Sequence, residues 1–246
     1  MNQTFDPAPL EFDDQGTPVS SIYGDVYHSA SGALAQARHV FLAGNGLPVR
    51  WQGKPRFTIL ETGFGLGVNF MATWQAWQVD PSRCGTLHFV SLEKHPFSAR
   101  DLAETHRAWP ELADLSHALC AAWPALTAGT HHLRLADGQV VLSLVFGDAQ
   151  ACLPTLDCDA DALYLDGFSP AKNPALWSSD VMRQLAHHAH AGSTLATWSV
   201  AGGVRRALTD AGFRVERVAG FGTKRQMLVG HFQGHPEALR EARREG

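Results

Sequence analysis

The stretch running from Phe57 to Asn69, FTILETGFGLGVN, restricts this chain more than any other. Phe57, Ile59 and Leu60 belong to a short apolar run of β-formers. Glu61 follows, then glycines at alternate positions, Gly63, Gly65 and Gly67. Beyond them Phe70, Met71, Trp74 and Trp77 recur at spacings of three and four, the period of a helix packed on one side. The order strand, glycine loop, helix is the one by which α/β proteins bring a ligand against bare backbone where a strand ends.

Two details decide which ligand the loop suits. A dinucleotide loop follows G-x-G-x-x-G or ends in Ala, but the sixth position counted from Gly63 is Val68, and the third glycine comes one place early at Gly67. Glu61 would also repel a pyrophosphate at close range in the water-poor end of a sheet. S-adenosylmethionine carries an ammonium and a sulfonium and no phosphate, so an acid there favours it. The reading moves from a nicotinamide oxidoreductase toward a methyl donor.

At 246 residues and 45% hydrophobic content the chain can bury the core of one large α/β domain. No run of eighteen apolar residues is present, and the start, MNQTFDPAPLEFDDQGTP, has neither the basic nor the apolar part of a signal peptide, so a cytoplasmic protein with no membrane span is expected. Cys84, Cys120, Cys152 and Cys158 are scattered and read as reduced thiols. His131 and His132, and His187, His188 and His190 on one expected helix, lack metal-ligand spacing, so no metal is expected. The net charge of −4 divides into −8 over residues 1–199 and +4 over 200–246, which allows a local phosphate-binding face on an otherwise acidic chain.

Residues 1–20 show no periodicity and read as an N-terminal arm; 21–235 form the main domain, with a helical and hairpin insertion at 96–140, and 236–246 form a polar tail. Tyr23, Asp25, Tyr27 and His28 make a polar-aromatic cluster ahead of a short helix, Ala33 to Phe41, closed by Gly44, Asn45 and Gly46. Strands are expected at Leu87–Leu92, His131–Leu135, Val140–Phe146, Ala162–Leu165, Thr194–Trp198, Phe213–Val218 and Met227–Phe232, with Asp137-Gly138 turning a hairpin. Helices are expected at Leu176–Ala189 and Gly203–Asp210. The last two strands have no helix between them, so the final one can enter antiparallel.

Acids fall at the ends of successive strands: Glu61, Glu93, Asp148 and Asp166. Ligands of open α/β sheets bind along that edge. Glu93 lies 26 residues past Gly67, where a carboxylate can accept from ribose hydroxyls, and Asp148 can meet an adenine amino group. Asp166 opens DGFSPAKNP, in which Gly167 permits a tight turn, Phe168 offers a stacking face, Pro170 and Pro174 stiffen the loop, and Lys172 and Asn173 add polar groups.

The segments ARHVFLAGNGLPVRW, ETGFGLGVNF, FVSLEKHP, LDGFSPAKNP and AGFRVERVAGFGTKRQMLVG together resemble the class I S-adenosylmethionine-dependent methyltransferases. More closely they resemble the methyltransferase half of the bacterial bifunctional tRNA 5-methylaminomethyl-2-thiouridine biosynthesis proteins, over about Tyr23 to His231. The resemblance implies a Rossmann-like α/β fold with a seven-stranded, mostly parallel sheet and an antiparallel last strand. It implies S-adenosylmethionine as cofactor, with Gly63, Gly65 and Gly67 under its methionine part, Glu93 at the ribose and Asp148 at the adenine.

It further implies N-methylation of a 5-aminomethyl group on wobble uridine in a tRNA anticodon loop. Asp166 is then expected to orient the amine and accept its proton, with Phe168 or Tyr27 against the base or the cationic centre. Lys172, Arg205, Arg206, Lys224 and Arg225 are the candidate tRNA contacts. With 246 residues no second domain is expected, so a separate FAD-dependent oxidase would act on the preceding step. Methylation of another amine, or a cofactor-binding subunit without chemistry, are the competing readings; the loop Asp166-Gly167-Phe168 lacks the paired prolines common in DNA amino-methyltransferases.

Overall fold

The computed structural model describes residues 3–28 and 32–234. In chain order the elements are β1 (Glu11–Phe12), β2 (Pro18–Ser20), β3 (Asp25–Val26), α1 (Ala33–Gln36), β4 (Arg56–Glu61), α2 (Val68–Val79), β5 (Thr86–Glu93), α3 (Ala99–Thr105), α4 (Ala113–Ala121), β6 (Gly129–Leu135), β7 (Val140–Phe146), α5 (Ala149–Cys152), β8 (Ala160–Tyr164), α6 (Ser179–His187), β9 (Ala189–Thr197), α7 (Gly202–Asp210), β10 (Phe213–Ala219) and β11 (Gln226–Phe232). One sheet takes the order β10-β11-β9-β8-β4-β5-β7-β6. Strands β7, β5, β4, β8 and β9 are mutually parallel, while β11 runs antiparallel to both β9 and β10.

The sheet is buried on both faces because its central strands are apolar at successive positions. Phe57 and Ile59 of β4 point to one cluster with Phe70, Trp77 and Phe89, whereas Leu60 points to the other with Val90, Leu163, Leu185 and Leu208. Complete burial of Phe57, Ile59 and Leu60 contributes about 1.5–3 kcal/mol each. Order reverses at β4: successive strands β4, β5 and β7 step one way, and β8 and β9 step the other. The crevice beyond the carboxyl ends of β4 and β8 is therefore the place where an open sheet offers a ligand room.

The expected hairpin forms, with β6 antiparallel to β7, and β6 is the edge strand that makes the sheet eight-stranded where the resemblance implies seven. The helix expected over Ala33 to Phe41 begins as α1 but widens into a π-helical turn at Ala37–Leu42. Helix α6 starts at Ser179, not Leu176, because the Ser178 hydroxyl caps it by accepting from the Val181 N–H at 3.3 Å. That helix ends at His187, and His190 lies on β9, which begins five residues ahead of the expected Thr194.

The arm is extended and docked: the Phe5 N–H donates to Leu126 O at 2.8 Å and that of Ala8 to Pro96 O at 2.9 Å, while β1, β2 and β3 form a small antiparallel sheet. The polar tail, 236–246, lies outside the described residues. Among the described residues no helix is long and apolar enough to cross a membrane.

Candidate active site

Glycine is required in the loop after β4 for reasons of close packing. Gly65 and Gly67 take left-handed φ values of 53° and 71°. A Cβ on Gly67 would sit 2.7 Å from the Phe64 ring, and one on Gly63 would lie 3.1 Å from the Asp166 carbonyl. Gly63 thus lets the loop press against the start of DGFSPAKNP. Two neighbours fix the loop from outside. The Gly65 N–H donates to Glu93 Oε2 at 2.7 Å. His106, buried between α3 and α4, faces the Leu66 carbonyl through Nε2 at 2.7 Å and Ser116 Oγ through Nδ1 at 2.8 Å. A carbonyl can only accept, so Nε2 carries the proton and Nδ1 accepts from Ser116. The helical insertion therefore braces the glycine loop.

Beside this loop opens a cleft of about 1090 Å³, its mouth included, lined by Tyr27, Gly63, Gly65, Glu93, Asp148, Asp166 and Phe168 among others. Glu93 uses each carboxylate oxygen once on backbone, Oε2 for Gly65 and Oε1 for the His95 N–H at 2.7 Å. Lone pairs remain for further donors. Asp148 caps α5 by accepting from the Gln150 N–H and pairs with Lys94 Nζ at 2.8 Å, which holds its carboxyl below the ordinary range. Burial acts oppositely on Glu93, pushing it up.

Asp166 is held on three sides. Its Oδ2 accepts from Asn69 Nδ2 at 2.7 Å, and its Oδ1 accepts from the Gly167 N–H at 2.8 Å and from Trp198 Nε1 at 3.0 Å. Burial raises its pKa, and these donors oppose the rise. The second Asn69 amide proton goes to Glu61 Oε1 at 2.9 Å, while Ser91 Oγ donates to Glu61 Oε2 at 2.6 Å. One carboxamide bridges two acids. Glu61 is fully buried and pushed up to about 8 by desolvation.

Aromatic rings close the cleft opposite the sheet. Tyr23 stacks on Phe168 at 4.6 Å, and Tyr27 meets Phe168 and Phe97 at 5.0 Å each. Burial pushes the Tyr27 phenol well above its usual range, so it stays neutral. The segment bearing Tyr23 and Tyr27 is tied to the Asp166 loop, since the Ser169 N–H donates to Asp25 Oδ2 at 2.9 Å.

Of the candidates from sequence, Gly63, Gly65, Glu93, Asp148, Asp166, Phe168 and Tyr27 share this cleft. Gly67 caps α2 and turns the loop without lining it. Glu61 was expected at the mouth, but it sits beneath Asn69: on β4 it shares parity with Phe57 and Ile59, which puts it on the face that α2 covers, where Asn69 and Ser91 enclose it. Lys224 and Arg225 line a separate groove with Pro170 and Trp198. Lys172, Arg205 and Arg206 are exposed and line neither. Asn69, His106 and Trp198 were not singled out beforehand. Asn69 had one usable signal, a polar residue in the first turn of an otherwise apolar helix start.

A parallel sheet with an antiparallel last strand, a glycine loop at its switch point and acids at successive strand ends define the fold of a class I methyltransferase. Residues 110–233, half the chain, match the model of a family described as S-adenosyl-L-methionine-dependent methyltransferase, and the chain belongs to that family. It is 60% identical over 225 residues to the tRNA 5-methylaminomethyl-2-thiouridine biosynthesis bifunctional protein MnmC of Aromatoleum aromaticum, covering 92% of this chain and 35% of that one. Its identity to the protein of the same name from Azoarcus sp. is 58% over 240 residues, covering 97% and 38%. The chain thus spans little more than a third of these relatives. The crystal structure of MNMC2 from Aquifex aeolicus superposes with a TM-score of 0.73 at 24% identity, over 98% of this chain and 76% of that one, which establishes the common fold.

S-adenosylmethionine, the methyl donor of the family, fits the residues present. Gly63 and Gly65 leave backbone open to the cleft, and Glu93 keeps acceptor capacity toward it.

Proposed function

We propose that this chain N-methylates the 5-aminomethyl group of wobble (2-thio)uridine in tRNA, giving 5-methylaminomethyl(-2-thio)uridine. The observation that carries the reading is Asp166, a carboxyl of raised pKa at the cleft wall, clamped by Asn69, Gly167 and Trp198 and flanked by the rings of Phe168 and Tyr27. An acceptor amine is mostly protonated at neutral pH and must be stripped of a proton to act as a nucleophile. A carboxylate whose pKa is raised toward neutrality is a better-matched base for that task than an exposed aspartate. The names of the relatives, which cite tRNA 5-methylaminomethyl-2-thiouridine biosynthesis, support the acceptor.

In this reading Glu93 accepts from ribose hydroxyls, Asp148 meets the adenine, and Gly63 and Gly65 run beneath the methionine part, with Gly67 setting the turn. S-adenosylmethionine supplies a methyl group activated by its sulfonium. Phe168 and Tyr27 stack on the uracil and exclude water, and Asp166 orients the amine and takes its proton. Glu61 acts on the site through Asn69. Lys172, Arg205, Arg206, Lys224 and Arg225 contact the RNA backbone. The relatives are bifunctional by name, and an FAD-dependent oxidase acting on the preceding step, in the cytoplasm, completes the proposal.

Incubation with labelled S-adenosylmethionine and tRNA from cells lacking this modification, followed by nucleoside analysis, tests it. Label is expected in 5-methylaminomethyl(-2-thio)uridine, and Asp166→Ala should abolish transfer while retaining cofactor binding. Label in protein or DNA, with none at the wobble base, would sink the assignment.

A further inference from the structure

In the function proposed above the cleft takes the base to be modified, and a second cavity of about 750 Å³, mouth included, lies across the Asp166 loop from it. The two share no lining residue: Asp166, Gly167 and Phe168 border the cleft, and Pro170 borders the groove. Trp198 forms the groove's wall. Its ring lies under Lys224, with Nζ 3.2 Å from the ring centre, while its Nε1 reaches through to Asp166 Oδ1 at 3.0 Å. Arg225 stands next to Lys224 on the same wall. Among the described residues neither cation makes a salt bridge.

An indole face, a proline and two cations, of which Lys224 feels Asp166 and Asp25 only at longer range, are a combination that suits a nucleotide: a flat π-surface for the base and positive charge for its phosphate. A peptide or an acidic small molecule would use the cations but leave the indole idle. Placement favours the neighbour of the base being modified. A strand whose target base enters the cleft and which continues over the Asp166 loop, past Phe168 and Pro170, meets the groove next.

We infer that this groove is a subsite for the nucleotide adjacent in the RNA strand to the methylated uridine, with its phosphodiester on Lys224 and Arg225 and its base taking the place of the Lys224 ammonium over Trp198. The inference rests on an RNA acceptor, as proposed above. Trp198 then has two duties, to receive the neighbour and to hold Asp166. The enzyme would recognise at least a dinucleotide, and filling the groove would steady the carboxylate that serves the amine.

Binding and transfer are tested separately. A fluorescein-labelled pentauridylate is titrated by anisotropy at several salt concentrations against the wild type, the double variant Lys224→Ala/Arg225→Ala, and Arg183→Ala as a control on an exposed surface of α6. The double variant should bind at least about tenfold more weakly, and the slope of log K against log salt should shrink by about 0.7, the one single-strand phosphate that Lys224 and Arg225 hold. The control should match the wild type. A pentamer with one abasic position should lose affinity for the wild type more than for Trp198→Ala. In the methylation assay the preference for an anticodon stem-loop over the free 5-aminomethyluridine nucleoside, as a ratio of kcat/KM, should fall at least about tenfold in the double variant.

Unchanged affinity and slope in the double variant would overturn the subsite even if tRNA is methylated. Weakened oligonucleotide binding with no label at uridine would leave the subsite standing and remove the acceptor assignment instead. Circular dichroism of each variant separates both outcomes from loss of fold.

Discussion

Replacing Glu61 by Gln removes a fully buried carboxyl of raised pKa while keeping its shape. The Gln oxygen still accepts from Asn69, and the new amide N–H donates to Ser91, whose hydroxyl rotates to accept. In the folded chain Glu61 protonates at about 8, against 4.5 when exposed. The folded state therefore holds this proton more tightly than the unfolded state does. The resulting stability is complete below about pH 4.5 and is lost as pH rises toward 8. At about 1.4 kcal/mol per pH unit the whole loss approaches ~5 kcal/mol, large beside the ~5–15 kcal/mol of a typical domain.

Histidines with lowered pKa, His88, His95 and His106, change stability in the opposite sense, but their effect is finished above about pH 6.5. The informative window is thus from about pH 6.5 to about pH 8. Urea unfolding across it should show the wild type losing about 1.5–2 kcal/mol more than Glu61→Gln, with Glu61→Gln the more stable at the alkaline end. Parallel stability curves for the two proteins would refute the claim that Glu61 is buried protonated near neutrality.

Asn69→Ala removes donors from two buried carboxyls at once. Because the bond to Asn69 lowers the Asp166 pKa, its loss should move the acidic limb of the pH–rate profile upward and cut kcat about 10–100-fold, whereas a purely structural role would lower activity without moving the limb. Gly167→Ala places a Cβ 2.5 Å from Leu176 Cδ2 at φ 143°, which should cost about 1–3 kcal/mol in chemical unfolding and displace Phe168; a variant of full stability would mean the loop relaxes freely.

The stretch from Phe57 to Trp77 was legible because three kinds of evidence coincide there: an apolar β run, alternating glycines and a helical period. Strand ends at Glu93 and Asp148 were legible for the same reason, each being an acid that stops an apolar run. Glu61 was misplaced by one physical step. Its position at the end of β4 suggested the mouth, but parity with Phe57 and Ile59 turned it inward. Trp198 and His106 were invisible to periodicity, since each works through a partner distant in sequence, Asp166 and Leu66. Basic residues near the C-terminus could be counted but not sorted. Only the turn between β10 and β11 carries Lys224 and Arg225 to the groove, and α7 leaves Arg205 and Arg206 on an exposed face.

Tyr23 on Phe168 and Asp25 on the Ser169 N–H join a short N-terminal sheet to the loop that carries Asp166. Core packing and the build of the cleft therefore both draw on the N-terminal part of this chain. A domain cut to begin at Arg56 would keep all eight strands of the central sheet but lose Phe41 and Trp51 from one flanking core, together with one side of its cleft and the tether of its acid. The family match over 110–233 lies wholly beyond both that side and the glycine loop, so it takes in Asp148 and Asp166 but none of Tyr27, Gly63, Gly65 and Glu93, which line the same cleft.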